Sequence, residues 1–200
     1  QFKAVETFSK EFKAKKDDYL LWIGRLSRAK NKDGTYTDPK GVRNAVSLAK
    51  KTNSRLLISG NIEDINFFNK DVKTFLGEKI RWIGKLSQEQ PLMKKEVARL
   101  MARARAFLMP VNWEEPFGLV MAEAQSCGTP VIGFDMGAVK EVVKNGETGF
   151  VVSPKRGISG LAAALKKIAD IKPEKCRKNA LENFSLQKMA GEYEKIYLSL

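Results

Sequence analysis

Six short apolar runs alternate along the chain with stretches of helical periodicity, and this alternation restricts the possible folds more than any other feature. Short, mainly apolar runs of this kind are typical of strands covered on both faces, and they occupy 19–23, 55–60, 79–84, 106–110, 130–134 and 149–152. Helices are predicted at 41–51, 92–104, 116–126, 138–144, 160–169 and 186–198. Strands that alternate with helices predict a parallel sheet flanked by helices, which is a Rossmann-like α/β domain.

Length limits the chain to one such domain. With 200 residues, 43% of them hydrophobic, it can bury one core but hardly two. Residues 1–18 are highly charged and predict a linker or a strand leading in from a preceding domain, and 19–200 form the folded domain with its C-terminal helix. No apolar run approaches the ~20 residues that span a bilayer, and no signal-peptide pattern opens the sequence. A cytoplasmic location is therefore expected.

The chain is strongly basic, with 36 Lys and Arg against 23 Asp and Glu and a formal net charge of +13. This charge fits nucleic acid, an anionic membrane surface or a phosphorylated small molecule, and composition alone leaves the three open. The sequence contains no histidine, which excludes an imidazole base or ligand within this chain. Cys127 and Cys176 fit no metal or redox spacing, and no aspartate-rich motif is present. We therefore expect neither a metal site nor a cofactor.

The clearest chemical signal follows the fourth apolar run. Pro116 suits the first position of a helix, and Glu115 or the glutamate before it lies where a carboxylate stabilises the positive helix end. The backbone N–H groups of Phe117, Gly118 and Leu119 would then be free at the helix N-terminus. Such a terminus binds anions, and a diphosphate matches it well.

Two glutamates accompany this predicted anion site. Glu115 and Glu123 are eight residues apart, which corresponds to about 12 Å along a helix and is comparable with the length of a nucleotide sugar from hexose to ribose. One carboxylate could accept sugar hydroxyls while the other accepts ribose hydroxyls. The alternatives are a helix cap for Glu115 and a solvated helix residue for Glu123, although alanines on both sides of Glu123 weaken the second.

Four motifs in fixed order resemble the C-terminal, donor-binding domain of retaining GT-B glycosyltransferases, the large group 1 family that includes sucrose synthases and many bacterial mannosyl- and glucosyltransferases. The resemblance covers about 19–200. The motifs are Glu115-Pro-Phe-Gly-Leu-Val-Met-Ala-Glu-Ala, Cys127-Gly-Thr-Pro-Val-Ile, Gly137 with Glu141, and Asn145-Gly-Glu-Thr-Gly-Phe-Val-Val.

The resemblance implies an enzyme that moves a hexose from a nucleotide diphosphate sugar to an acceptor, with the anomeric configuration retained. This chain would be one half of the GT-B architecture. It would bind the donor, whereas a glycan or small-molecule acceptor would be bound through an N-terminal domain that the chain lacks. The chain alone would then be inactive. Peripheral contact with a membrane stays open.

The resemblance also assigns roles to individual residues. Glu115 would contact the donor hexose, Glu123 would hold the ribose, and the backbone amides of Phe117, Gly118 and Leu119 would hold phosphate or sugar.

A basic pair would bind the diphosphate. Arg25, which follows Gly24 at the end of the first predicted strand, matches the family's arginine. For the lysine, Lys30 has the usual spacing from Arg25, whereas Lys40 opens the next amphipathic helix. We favour Lys40, because helix register fixes where a side chain points, and we then interpret 31–38 as an insertion that turns at Asp33 and Gly34. Both cations would stabilise the charge that develops on the leaving diphosphate.

The backbone at Lys85 and Leu86, after the third predicted strand, would line the base pocket by the same resemblance. Two other classes of function compete with this interpretation. A non-catalytic nucleotide- or phosphate-binding module would share the pocket without the reaction. A nucleic-acid-binding domain would account for the basic charge, but the sequence lacks the interleaved aromatic and basic residues of the common nucleic-acid-binding modules.

Overall fold

The computed structural model describes residues 3–12, 14–26, 28–85 and 94–199, and it contains one sheet of six parallel strands. The strand order is β3-β2-β1-β4-β5-β6. The predicted Rossmann-like α/β fold is therefore confirmed, and each strand lies within one of the predicted apolar runs or extends one residue beyond it. The strands are Leu20–Ile23 (β1), Leu56–Gly60 (β2), Ile80–Lys85 (β3), Ala106–Met109 (β4), Val131–Phe134 (β5) and Gly149–Val152 (β6).

Helices cover the sheet on both faces, which explains why its strands lack polar residues at alternate positions. In β1, Leu20 and Trp22 pack into one core cluster, and Leu21 and Ile23 pack into the other. The helices are Lys3–Phe8 (α1), Val42–Thr52 (α2), Ile65–Asp71 (α3), Lys94–Arg103 (α4), Leu119–Ser126 (α5), Val139–Val142 (α6), Gly157–Lys166 (α7), Pro173–Phe184 (α8) and Leu186–Leu198 (α9).

In the described part of the chain, seven helices contribute buried residues to one core cluster each, α8 contributes Cys176 to the first and Ala180 to the second, and α9 has no buried residue. Helices α2, α3 and α7 bury their apolar residues with the first cluster, and α1, α4, α5 and α6 do so with the second. Helix α4 begins within the predicted 92–104 segment, whose first two positions lie outside the described residues. None of the helices in the described ranges combines the length and the apolar character that a bilayer crossing requires.

Three helices lie where no helix was predicted. Helix α1 falls in the segment that we expected to be a linker or a strand, and its Val5 and Phe8 are 0% and 3% exposed. Helices α3 and α8 are the other two. Their described buried side chains are Val5 and Phe8 in α1, Phe67 and Phe68 in α3, and Cys176, Asn179 and Ala180 in α8.

The helix predicted to begin at Pro116 begins instead at Leu119. The chain is still extended at Glu115, which pairs with Gly137 in a parallel bridge and accepts a hydrogen bond from the N–H of Ala138 (2.8 Å). Gly118 then turns the chain into α5 with a φ of 71°, a left-handed conformation that glycine adopts at little cost. Because Glu115 is not on the helix, the predicted separation of about 12 Å from Glu123 does not apply.

Candidate functional site

A cavity of about 290 Å³ lies at the carboxyl ends of the central strands. Strand β1 pairs with β2 on one side and with β4 on the other, so the chain order reverses between β1 and β4 and leaves a crevice at this point. The cavity brings together residues from the loops after β1, β2 and β4 and from the start of α5. Its lining includes Gly24, Arg25, Lys40, Asn61, Glu115, Gly118 and Leu119.

Three side chains form a compact polar cluster at one wall of the cavity. The Lys40 ammonium lies 2.7 Å from Oε2 of Glu115, and the side chains of the two residues are 20% and 7% exposed. The indole Nε1–H of Trp113 donates to the same Glu115 oxygen at 3.0 Å. The ammonium also lies 4.5 Å from the centroid of the Trp113 ring, within cation–π range. Each of the three side chains therefore contacts the other two.

The backbone around Lys40 is fixed by two further contacts. The indole N–H of Trp22, a core residue of β1, donates to the carbonyl oxygen of Lys40 at 3.0 Å. Asp38 caps the following helix, because its two carboxylate oxygens accept from the N–H groups of Val42 (3.0 Å) and Arg43 (2.9 Å). Lys40 lies in the turn before α2 and not on the helix that was predicted to fix its direction, so these contacts place it at the cavity.

Asp38 is unusual for a capping residue because it is only 2% exposed and has a φ of 53°. Burial raises the pKa of its carboxyl to about 6, and the backbone N–H groups that it accepts from oppose this rise. Aspartate tolerates the left-handed conformation better than most residues with a side chain.

Arg25 lies on the more open side of the cavity. Its guanidinium is 3.4 Å from Oε1 of Glu63, and its side chain is 64% exposed, so little holds it in one position. A second cavity of about 340 Å³ adjoins the first, and its lining includes Arg25, Lys40, Glu63 and Trp113. Arg25 and Lys40 therefore border both cavities.

The amino end of α5 faces the cavity through Gly118 and Leu119, and its N-cap residue, Gly118, has no side chain that could cap the helix. The ring of Phe117 packs edge-on against Phe184 of α8, with centroids 5.7 Å apart. Glu123 is half-buried on α5, four residues beyond Leu119, or about 6 Å along the helix axis.

Lys30 lines neither cavity. It pairs with Tyr36 across the hairpin predicted for the insertion, and its ammonium lies 4.6 Å from the centroid of the Tyr36 ring. Gly34 turns this hairpin with a φ of 82°. Lys85 ends β3, whereas Leu86 lies outside the described residues. The structure thus places Lys40 in the cavity, and the identity of the diphosphate-binding lysine stays a prediction.

The geometry suits a ligand that is anionic at one end and rich in hydroxyl groups at the other. Two cations and the positive end of α5 attract negative charge, and the Glu115 carboxylate can accept hydrogen bonds from hydroxyl groups. Sequence reasoning missed Trp22, Trp113 and Asn61 as parts of this site. Trp113 was the one that could have been found, because it lies two residues before Glu115.

Comparison with known proteins supports the motif analysis. The family model described as Glycosyl transferases group 1 matches residues 4–183. A D-inositol 3-phosphate glycosyltransferase from Rhodococcus erythropolis is 30% identical over 179 residues, which are 86% of this chain and 39% of that protein. An N-acetyl-alpha-D-glucosaminyl L-malate synthase from Bacillus anthracis is 35% identical over 106 residues, which are 50% of this chain and 28% of that protein. The chain spans less than half the length of either relative.

The solved structures with the same fold come from longer chains, of which this chain matches only part. A glycosyltransferase involved in avilamycin A biosynthesis superposes with a TM-score of 0.75 and 25% identity, over 94% of this chain and 52% of its own. HepE from Anabaena, solved in complex with UDP, gives a TM-score of 0.73 at 16% identity over 98% of this chain and 53% of its own. This chain therefore corresponds to about half of each protein.

Proposed function

The chain belongs to the group 1 glycosyl transferases, and we propose that it is the donor-binding half of an enzyme that transfers a hexose from a nucleotide diphosphate sugar with retained configuration. One observation carries this proposal. Arg25, Lys40, Glu115 and the amino end of α5 border a single cavity at the point where the strand order reverses. HepE is similar in fold and has been solved with UDP-glucose, which supports a nucleotide sugar as the donor.

In the proposed complex the diphosphate lies against the amino end of α5. The backbone N–H groups at Gly118 and Leu119 donate to its oxygens, and Arg25 and Lys40 neutralise the charge that builds up as the bond to the anomeric carbon breaks. The backbone N–H groups are held by the start of α5 before the reaction, whereas the Arg25 side chain is exposed and would have to turn toward the diphosphate. The departing phosphate would then assist attack by the acceptor on the same face of the sugar.

Glu115 and Glu123 have different roles in this proposal. Glu115 accepts hydroxyl hydrogen bonds from the hexose and orients the anomeric carbon for transfer. Glu123 lies further along α5, where it accepts from the ribose. A polar contact at each end of the donor would let the site distinguish the complete donor from the nucleoside diphosphate.

Paired titrations test these roles. Isothermal calorimetry of the 200-residue chain with UDP, GDP and ADP first identifies the nucleoside diphosphate that binds. Glu123→Ala should then weaken the diphosphate and its hexose conjugate equally. Glu115→Ala should reduce the preference for the hexose conjugate over the diphosphate. If Glu115→Ala lowers only the melting temperature and leaves this preference unchanged, Glu115 is a structural residue and its role in binding hexose is wrong.

A further inference from the structure

The Lys40 ammonium and the Glu115 carboxylate contact each other, although the proposed function assigns them to different parts of the donor. Their separation is 2.7 Å, and Glu115 is only 6% exposed. Lysine has a single charged group, so a diphosphate that recruits Lys40 has to compete with this carboxylate. If Lys40 turns toward a phosphate, the Glu115 carboxylate loses the contact with its cation.

Trp113 can stabilise the carboxylate after Lys40 leaves, because it contacts both members of the pair. Its Nε1–H donates to the same Oε2 that accepts from Lys40. Glu115 therefore keeps one hydrogen-bond donor if Lys40 leaves. Without that donor, a nearly buried carboxylate would lose both of these contacts, which is a costly arrangement. The indole thus makes the departure of Lys40 less costly.

Lys40 is also held in a way that allows only its tip to move. Its carbonyl oxygen is bound by Trp22, and the next helix is capped by Asp38, so the backbone is fixed on both sides. The four-carbon side chain borders both cavities, which gives the ammonium space to turn away from Glu115. The mobile element is the side chain alone.

We propose that the donor binds by exchange: Lys40 transfers from Glu115 to the diphosphate, and Trp113 is a positioning residue that keeps the freed carboxylate in place for the hexose. This inference rests on the proposed function of the same cavity. The exchange makes the contact of Glu115 with the hexose depend on the contact of Lys40 with the diphosphate. Recruitment of Lys40 by the diphosphate exposes the Glu115 oxygen that the sugar requires. A sugar without a diphosphate would meet a carboxylate that is already occupied.

A double-mutant cycle measured by calorimetry tests the exchange, with UDP as the probe and GDP and ADP in parallel. Glu115→Gln removes the competing charge, so diphosphate affinity should rise about threefold to tenfold, as expected for a partly buried ion pair. Lys40→Met should then cost more affinity in the Glu115→Gln background than in the unmodified chain. Lys140→Met is the matched control, because its contact with Asp135 is longer (3.9 Å) and more exposed.

A crystal structure of the UDP complex supplies the direct measurement. The distance from Lys40 Nζ to Glu115 Oε2 should lengthen from 2.7 Å to beyond hydrogen-bonding range, while the Trp113 contact stays near 3.0 Å. Trp113→Phe keeps the ring but removes the N–H. This variant should bind UDP more weakly, because the departure of Lys40 then leaves Glu115 without either donor, and it should lose more affinity for UDP-glucose than for UDP.

The outcomes separate this inference from the function on which it rests. If the unmodified chain binds none of the three diphosphates, the proposed function fails and the exchange fails with it. If a diphosphate binds but the cycle shows no coupling, or if Lys40 still contacts Glu115 in the complex, the exchange alone is refuted. Equal loss of UDP and UDP-glucose binding in Trp113→Phe would refute the role of Trp113 in keeping Glu115 in place for the hexose.

Discussion

Asp38 offers the sharpest test of how the fold positions Lys40. Replacement by alanine removes the acceptors for two N–H groups at the start of α2, which costs about 1 kcal/mol for a typical cap. Alanine must also adopt a φ of 53°, at a further cost of about 1 kcal/mol. We therefore expect Asp38→Ala to lower the free energy of unfolding by about 2 kcal/mol. For a chain of this length, that corresponds to a fall in melting temperature of about 4–8 °C.

Asparagine at the same position separates the two contributions. Asp38→Asn tolerates the left-handed conformation and keeps one oxygen acceptor, so it should lose less than half as much stability as Asp38→Ala. Its effect should also depend on pH. The folded carboxyl has a pKa of about 6, above the ordinary value of 3.8, so its contribution to stability is fully present below pH 3.8 and is lost as pH rises through 6. The difference in free energy of unfolding between the unmodified chain and the asparagine variant should therefore become smaller between pH 4 and pH 7.

Thermal melts followed by circular dichroism, with UDP titrations on the same samples, provide the assay. Asp170→Ala is the control, because Asp170 is exposed at the far end of the turn after α7. Asp38→Ala should weaken UDP binding as well as stability, since a loosened start of α2 no longer fixes Lys40. Equal melting temperatures for Asp38→Ala and the control would refute the capping argument. Equal losses for the alanine and asparagine variants would refute the argument from backbone conformation.

Three further predictions follow from the same structure. Arg25→Ala should weaken binding of a nucleoside diphosphate by about 1–3 kcal/mol in calorimetry, and unchanged affinity would remove Arg25 from the site. Lys40→Ala should impair that binding more than Lys30→Ala, and the reverse order would show that sequence spacing rather than helix register identifies the functional lysine. Burial lowers the pKa of Lys16 from 10.5 to about 8, so its charge destabilises the fold below pH 8 and this penalty fades as pH rises to 10.5. In melts across that range, the gain in stability with pH should be smaller for Lys16→Met than for Lys15→Met, which changes an exposed lysine.

The sheet could be predicted from sequence because most strand residues are buried, so that the strands appear as short, mainly apolar runs. Arg25 and Glu115 both follow strands whose carboxyl ends share one edge of the sheet, and both border the cavity there. The insertion could also be predicted, because an Asp-Gly turn is a local signal that needs no distant partner.

Features that depend on contacts distant in sequence could not be predicted. Helix α5 starts three residues late because the strand-like pairing of Glu115 with Gly137 keeps the preceding chain extended. Helix α1 is stabilised by burying Val5 and Phe8 against other elements. The pairing of Lys40 with Glu115 joins residues 75 positions apart, and no local rule connects them.

The pairing of Glu115 with Gly137 affects how variation in this protein should be interpreted. Gly137 has a φ of 60°, and a Cβ atom there would lie 2.4 Å from both the backbone nitrogen and the backbone oxygen of Glu115. Any side chain at position 137 would therefore displace the backbone that carries the carboxylate. In a saturation-mutagenesis screen for donor use, this glycine should be as intolerant as a ligand-binding residue, although it lines neither cavity. Libraries intended to alter donor selectivity should hold position 137 constant and vary the side chains around the cavity.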